Sequence, residues 1–173
     1  QVASIAKQVL LGLNNQHENL NVHNQIKIEN ILLGQDYAVN LTGFSCSKQL
    51  VHSAHKLQDD VDNSYWMSPE QIGEQASYGL EADIWSLGIV IWEMLNGSPP
   101  NSEFSEDLAK VRIIALPAPT CDSWSIELKD FMFYALNKNV SRRHTAKQLL
   151  QHPFITRSTL NTSQFIPDLL AKT

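Results

Sequence analysis

Apolar residues recur at three- and four-residue steps through the first stretch of the chain: Val2, Ile5, Ala6, Val9, Leu10 and Leu13. That spacing predicts an amphipathic helix over 2–19. The pattern then shortens. "NILLG" (30–34) and "AVNLTGF" (38–44) are brief apolar runs separated by "GQD", which predicts a small β-hairpin. Residues 45–64 are polar, mixed and without periodicity, the pattern of a long surface loop. From 81 to 95 the chain is apolar nearly all round and reads as a buried helix. The run "NGSPPNSE" (96–103) ends it in turn chemistry. A short helix is expected over 108–114, followed by the Pro-broken loop "LPAPTCDSW". Helical periodicity returns over 125–137 and 144–151, and Pro153 is expected to stop it. The tail, 156–173, is polar with scattered apolar residues and reads as loosely ordered. The predicted architecture is mainly α (α+β), one helical domain with a small hairpin at one side.

Composition changes this picture little. A chain of 173 residues fits one domain with a real core. Hydrophobic residues at 43% and charged residues at 18% suit a globular protein. The net charge of −5 argues against a non-specific nucleic-acid surface. No apolar run reaches the roughly 18 residues of a membrane span, and the longest, "IWSLGIVIWEML" (84–95), falls short. The first residues lack the basic start and apolar core of a leader, and no Met begins the chain, which therefore reads as a fragment. Cys46 and Cys121 have no paired spacing and read as free thiols of a reducing compartment. A cytoplasmic location is the expectation, with the nucleus as the other reducing choice.

Four landmarks carry the chemistry. They are "VHNQIKIENILL" (22–33), "YWMSPE" (65–70), "DIWSLGIVIWEMLNGSPP" (83–100) and "RRHTAKQLLQHPFI" (142–155). In this order and spacing the chain resembles a protein-kinase C-terminal lobe over residues 1–155, with 156–173 as a C-terminal tail. The first landmark resembles the catalytic loop H-R-D-x-K-x-x-x-N and the strand after it. The second resembles the A-P-E end of the activation segment. The third resembles the long buried helix of the lobe, and the fourth its closing Arg and last helix. The wording of "YWMSPE", "DIWSLGI" and "LLQHPF" is similar to the sterile-twenty-like serine/threonine kinases, and nearest to their p21-activated (PAK) branch. The Gly-rich loop, the strand Lys and its Glu partner belong to the family's N-terminal lobe, and this sequence contains none of them. A C-lobe without its N-lobe is the expectation.

The resemblance assigns roles by position. Gln25 stands where the family keeps the Asp that accepts the hydroxyl proton, and an amide has no useful basicity near neutrality. Asn24 replaces the Arg before it, which pairs with a phosphorylated activation loop. Lys27 matches the catalytic-loop Lys, and Asn30 the neutral Mg²⁺ ligand. Gly43, in "GFS", replaces the metal-binding Asp of D-F-G. Leu32 matches the residue beneath the adenine ring. The scaffold positions look intact: His23 and Phe44 match the C-lobe members of the apolar spine, Asp83 the carboxylate that holds the catalytic-loop backbone, and Glu70 and Arg143 a buried ion pair. Losing a general base lowers rates by about 10²–10⁴, and losing a metal's charge removes several kcal/mol more of transition-state stabilisation.

The resemblance therefore implies a pseudokinase acting as a protein-interaction module, whose partners are proteins such as PAK-like kinases or their substrates. It implies no cofactor, with ATP and Mg²⁺ entering only if activity remains. Two alternatives stay open. One is a serine/threonine kinase completed by an N-lobe elsewhere, and the other is a degenerate duplicate without a role. Weaker features are also present. His52 and His55 have a helical metal-ligand spacing but no neighbouring Cys or acid. Asp59 and Asp60 fall where the family phosphorylates its activation loop, and Asn63 where a Thr contacts substrate. Trp66, Trp85 and Trp92 read as packing.

Overall fold

The computed structural model describes residues 1–34, 38–51, 64–72, 77–118 and 120–157. Six α-helices and two small antiparallel sheets are present among them. Helix α1 (Val2–Glu18) buries Ala6, Val9, Leu10 and Leu13 on one stripe, as its apolar spacing predicts. Helix α2 (Glu81–Asn96) is buried along most of its length, from Ala82 to Ile91, and forms the centre of the core. Helices α3 (Glu106–Ala115), α4 (Ile126–Ala135), α5 (Ala146–Leu150) and α6 (Pro153–Thr156) complete the helical body. Core residues Phe131, Leu136 and Leu149 close around α2.

Local chemistry sets several boundaries. The Ser125 side chain accepts the Leu128 N–H at the start of α4. Thr145 and Gln148 form a reciprocal capping box at α5. Pro153 opens a separate turn of helix, α6, instead of only ending the one before it. Its missing N–H is one that a first helical turn leaves unpaired, and His152 Nδ1 accepts the Phe154 N–H beside it. Gly88 lets the end of α4 sit close against α2, since a Cβ there would lie 2.6 Å from Leu136 Cδ2.

The hairpin is shorter than the sequence suggests. Strands β2 (Ile31–Leu33) and β3 (Val39–Leu41) pair antiparallel with Leu32 opposite Asn40. A second pairing joins β1 (Asn21–Val22) to β4 (Lys48–Gln49), inside the stretch read as loop. Two-residue strands carry no alternation long enough to be seen in sequence. His52, His55, Asp59, Asp60, Asn63 and residues 158–173 lie outside the described residues. Among the described residues no helix is long and apolar enough to cross a membrane.

Candidate functional site

The segment from Val22 to Asn30 joins β1 to β2, and one carboxylate holds the backbone near its start. Asp83, in the first turn of α2, is buried at 1% exposure. Its Oδ2 accepts the His23 N–H at 2.8 Å and lies 2.9 Å from His17 Nε2, while Oδ1 accepts the Asn24 N–H at 2.8 Å. A buried carboxylate with several donors is the arrangement in which a buried charge is tolerated. Asn24 takes a left-handed conformation (φ 71°), which its short polar side chain accommodates more readily than most residues do.

Side chains around the loop complete the clamp. The Asn24 amide donates to the Tyr78 hydroxyl at 2.9 Å, and its oxygen accepts from Gln71 Nε2 at 3.3 Å. Gln71 is tied in turn to the Ser68 backbone N–H and hydroxyl. Asn24 is therefore committed to a neutral buried network. The His23 ring packs against the Phe44 ring at 4.7 Å between centroids. Burial lowers the pKa of His23, and the Asp83 carboxylate opposes that shift only in part.

The positions singled out for chemistry also meet. Asn30 Nδ2 donates to the Gln25 carbonyl at 2.8 Å, linking the two ends of the loop. Gly43 sits beside them in the left-handed region (φ 84°), and a Cβ built on it would lie 2.5 Å from Asn30 Nδ2 and 2.8 Å from Asn30 Cγ. The Asn30 amide thus fills the space a side chain at position 43 would enter. Thr42 donates its N–H to the Asn30 carbonyl at 2.9 Å, fixing the two segments against each other. Lys27 and Gln25 are half-buried on the same loop. Leu32 on β2 is 49% exposed and Phe44 is 46% exposed, so an apolar face borders this group.

Farther from the loop, Arg143 and Glu70 join through both guanidinium nitrogens, with Nη2 to Oε2 at 2.9 Å. Arg143 also donates to the Glu81 and Asn137 carbonyls and lies 5.2 Å over the Trp85 ring. This fork ties the 69–71 turn, the start of α2 and the 137–143 segment at one point. Trp66 donates to Glu93, whose carboxyl is pushed up by burial. Trp85 is buried, and Trp92 packs edge-on against Trp124 at 5.3 Å.

Sequence reasoning missed His17, Gln71 and Tyr78. His17 carries a readable signal, because it continues the Leu10–Leu13 stripe of α1 and so sits on the buried face. Gln71 and Tyr78 carry none, since their partner Asn24 is some fifty residues away.

Residues 1–155 match the protein kinase domain model, and the chain belongs to the protein kinase family. Its relatives make it a serine/threonine-kinase-like domain. It is similar to serine/threonine-protein kinase pakB of Dictyostelium discoideum, 37% identical over 98% of this chain and 20% of that protein. It is also similar to serine/threonine-protein kinase sid1 of Schizosaccharomyces pombe, at 39% over 99% of this chain and 36% of the relative. Mouse serine/threonine-protein kinase 10 is 34% identical over 93% of this chain and 17% of its own length. The chain thus spans no more than about a third of these relatives.

Proposed function

We propose that this chain is a pseudokinase module that offers a kinase-fold surface to protein partners and transfers no phosphate. The observation that carries the reading is the set Gln25, Asn30 and Gly43. On this reading Gln25 occupies the proton acceptor's place, with an amide that can hold a hydroxyl but not take its proton. Gly43 occupies the place of the second acid, and the Asn30 amide fills the space beside it.

Active kinases use ATP with Mg²⁺, which supplies charge neutralisation at the transferred phosphate. Gln25, Lys27, Asn30 and Gly43 offer no carboxylate, and the Nδ2 face of Asn30 is turned to the Gln25 carbonyl. A hard dication asks for carboxylate oxygens that this set does not provide, so the residues present do not fit a magnesium site. Lys27 remains as a cation able to attract an anionic group. The scaffold contacts of Asp83 and of the Glu70–Arg143 fork support a loop that keeps its shape without its chemistry.

The proposed partners are proteins in kinase signalling, with PAK-like kinases or their substrates as the first class to test, in the cytoplasm. A second reading draws on Lys27 and Asn30 being in place and on the names of the relatives. In it, the chain is part of a serine/threonine kinase whose remaining lobe lies elsewhere. A thermal melt with and without millimolar ATP and Mg²⁺ tests whether this chain by itself holds a nucleotide site. A ligand that binds only the folded state adds about 2.7 kcal/mol at a hundredfold excess over Kd. An unmoved melt is expected. An upward shift, with phosphate incorporation above that of a Lys27→Ala, Asn30→Ala variant, would favour the second reading.

A further inference from the structure

Helix α4 presents two faces, and only one is covered. Phe131 is fully buried against the core, whereas Ile126 is 83% exposed and Phe133 63% exposed. With Met132 and Leu136 they border an open groove of about 660 Å³, which Lys129 and Lys138 also line. A smaller cavity of about 170 Å³ adjoins it, sharing Pro117, Ala118 and Lys138, and Arg112 lines that cavity. Exposed apolar surface of this kind marks a contact site.

The charges around the groove say what kind of partner fits. Lys138 Nζ donates to the Ile114 carbonyl at 2.7 Å and to that of Leu116, and Arg112 Nε donates to the Asn101 side chain at 2.7 Å. Lys129 Nζ meets Asp122 at 2.8 Å through the carbonyl, not the carboxylate. Among the described residues none of these three cations pairs with a carboxylate. The two acids of α4 are already taken, Asp130 by His152 and Glu127 by Arg157. Burial holds the Lys138 pKa below its ordinary value, with no carboxylate opposing that shift. The complement to three such cations beside exposed apolar side chains is an acidic, apolar partner. Its shape follows as well. The lining comes from α4 and the segments on either side of it, so an extended peptide finds no sheet edge to join. One aromatic ring, Phe133, is too few for the aromatic-lined grooves that take polyproline segments. A helix laid along the roughly 15 Å of α4 fits. The chain's own α3, which exposes Leu108 and Val111, carries Lys110 between them and would bring like charge to the groove, which disfavours a second copy.

We propose that the α4 groove docks an amphipathic helix of a partner protein, with its apolar side chains against Ile126 and Phe133 and its Asp or Glu side chains against Lys129 and Lys138. This rests on the reading of the chain as a surface for protein partners. The groove shares no lining residue with the loop of Gln25 and Asn30, so it is independent of whether the chain transfers phosphate.

The test titrates two synthetic helical peptides of about 14 residues into the isotope-labelled full chain. They share one Leu stripe and differ only in carrying Glu or Lys beside it. The Glu peptide is expected to shift the amide signals of residues 126–138 and to bind at least about tenfold more tightly than its Lys twin. Phe133→Asp, at an exposed position that the core does not use, is expected to weaken the Glu peptide at least about tenfold. Lys129→Glu is expected to narrow the preference between the peptides at least about threefold. Equal affinity for the two peptides, no response at about 1 mM, or binding untouched by both substitutions would overturn the proposal. So would α4 signals of the chain alone that move with its own concentration, in favour of a second copy. No nucleotide enters this titration, so its failure would leave the ATP melt and the pseudokinase reading as they stand.

Discussion

Replacing Gly43 by alanine perturbs a place where the two altered segments touch tightly. The substitution puts a side chain on a backbone at φ 84° and drives its Cβ to 2.5 Å from Asn30 Nδ2. The left-handed conformation costs a non-glycine residue about 1–2 kcal/mol. Relieving the contact requires Asn30 to swing away from the Gln25 carbonyl, forfeiting a hydrogen bond of about 0.5–1.5 kcal/mol. The sum is about 1.5–3.5 kcal/mol, or roughly 5–10 °C of melting temperature for a chain this size. Differential scanning calorimetry of wild type, Gly43→Ala, Asn30→Ala and the double variant separates the two parts. With Asn30 already truncated, only the backbone part of the penalty should remain, about 1–2 kcal/mol. A Gly43→Ala melt coincident with wild type would refute the reasoning. So would a penalty that Asn30→Ala leaves unchanged, since the steric coupling would then be absent.

Arg143→Met removes a buried guanidinium that serves Glu70 and two carbonyls, and should destabilise by about 3–5 kcal/mol in urea titration; a loss below about 1 kcal/mol would mean water replaces the fork. His23 sets a pH dependence. Burial lowers its folded pKa below the unfolded value near 6.5, so below that pH the unfolded state takes up a proton that the folded state refuses. Stability should therefore fall as pH drops from about 6.5 to the lowered folded value, then level off. A His23→Phe variant should show a flatter urea midpoint between about pH 7.5 and 5.5, and identical slopes would refute the assignment. Finally, Gln25→Asp with Gly43→Asp should give no phosphate incorporation from ATP in this chain, because its sequence holds no Gly-rich phosphate loop to clamp the nucleotide; recovered transfer would overturn the reading of residues 1–155 as a C-lobe alone.

Much of the fold was legible because long periodic segments announce themselves. The stripe from Val2 to Leu13 and the apolar run from Ile84 to Leu95 gave α1 and α2 within a residue or two. The β1–β4 pairing was hidden because two-residue strands have no alternation to read. Pro153 was read as a stop from its ring alone, whereas its neighbour His152 supplies the cap that makes it a start. At the site, the motif frame placed Gln25, Asn30 and Gly43 together, and the structure brings them into contact. What no motif could give was the neutral network of Asn24 with Tyr78 and Gln71. Such partners meet across some fifty residues, and only tertiary packing decides them.

Asp83 grips the loop through the N–H groups of residues 23 and 24, and main-chain amides look the same whatever side chain they carry. The clamp is therefore blind to sequence. Substitution at 25 can rewrite what the loop does while the grip of Asp83 stays as it was, because that grip falls on main-chain atoms of the two residues before it. Form and reactivity are written in separate atoms here, and an architecture so divided can lose one without forfeiting the other.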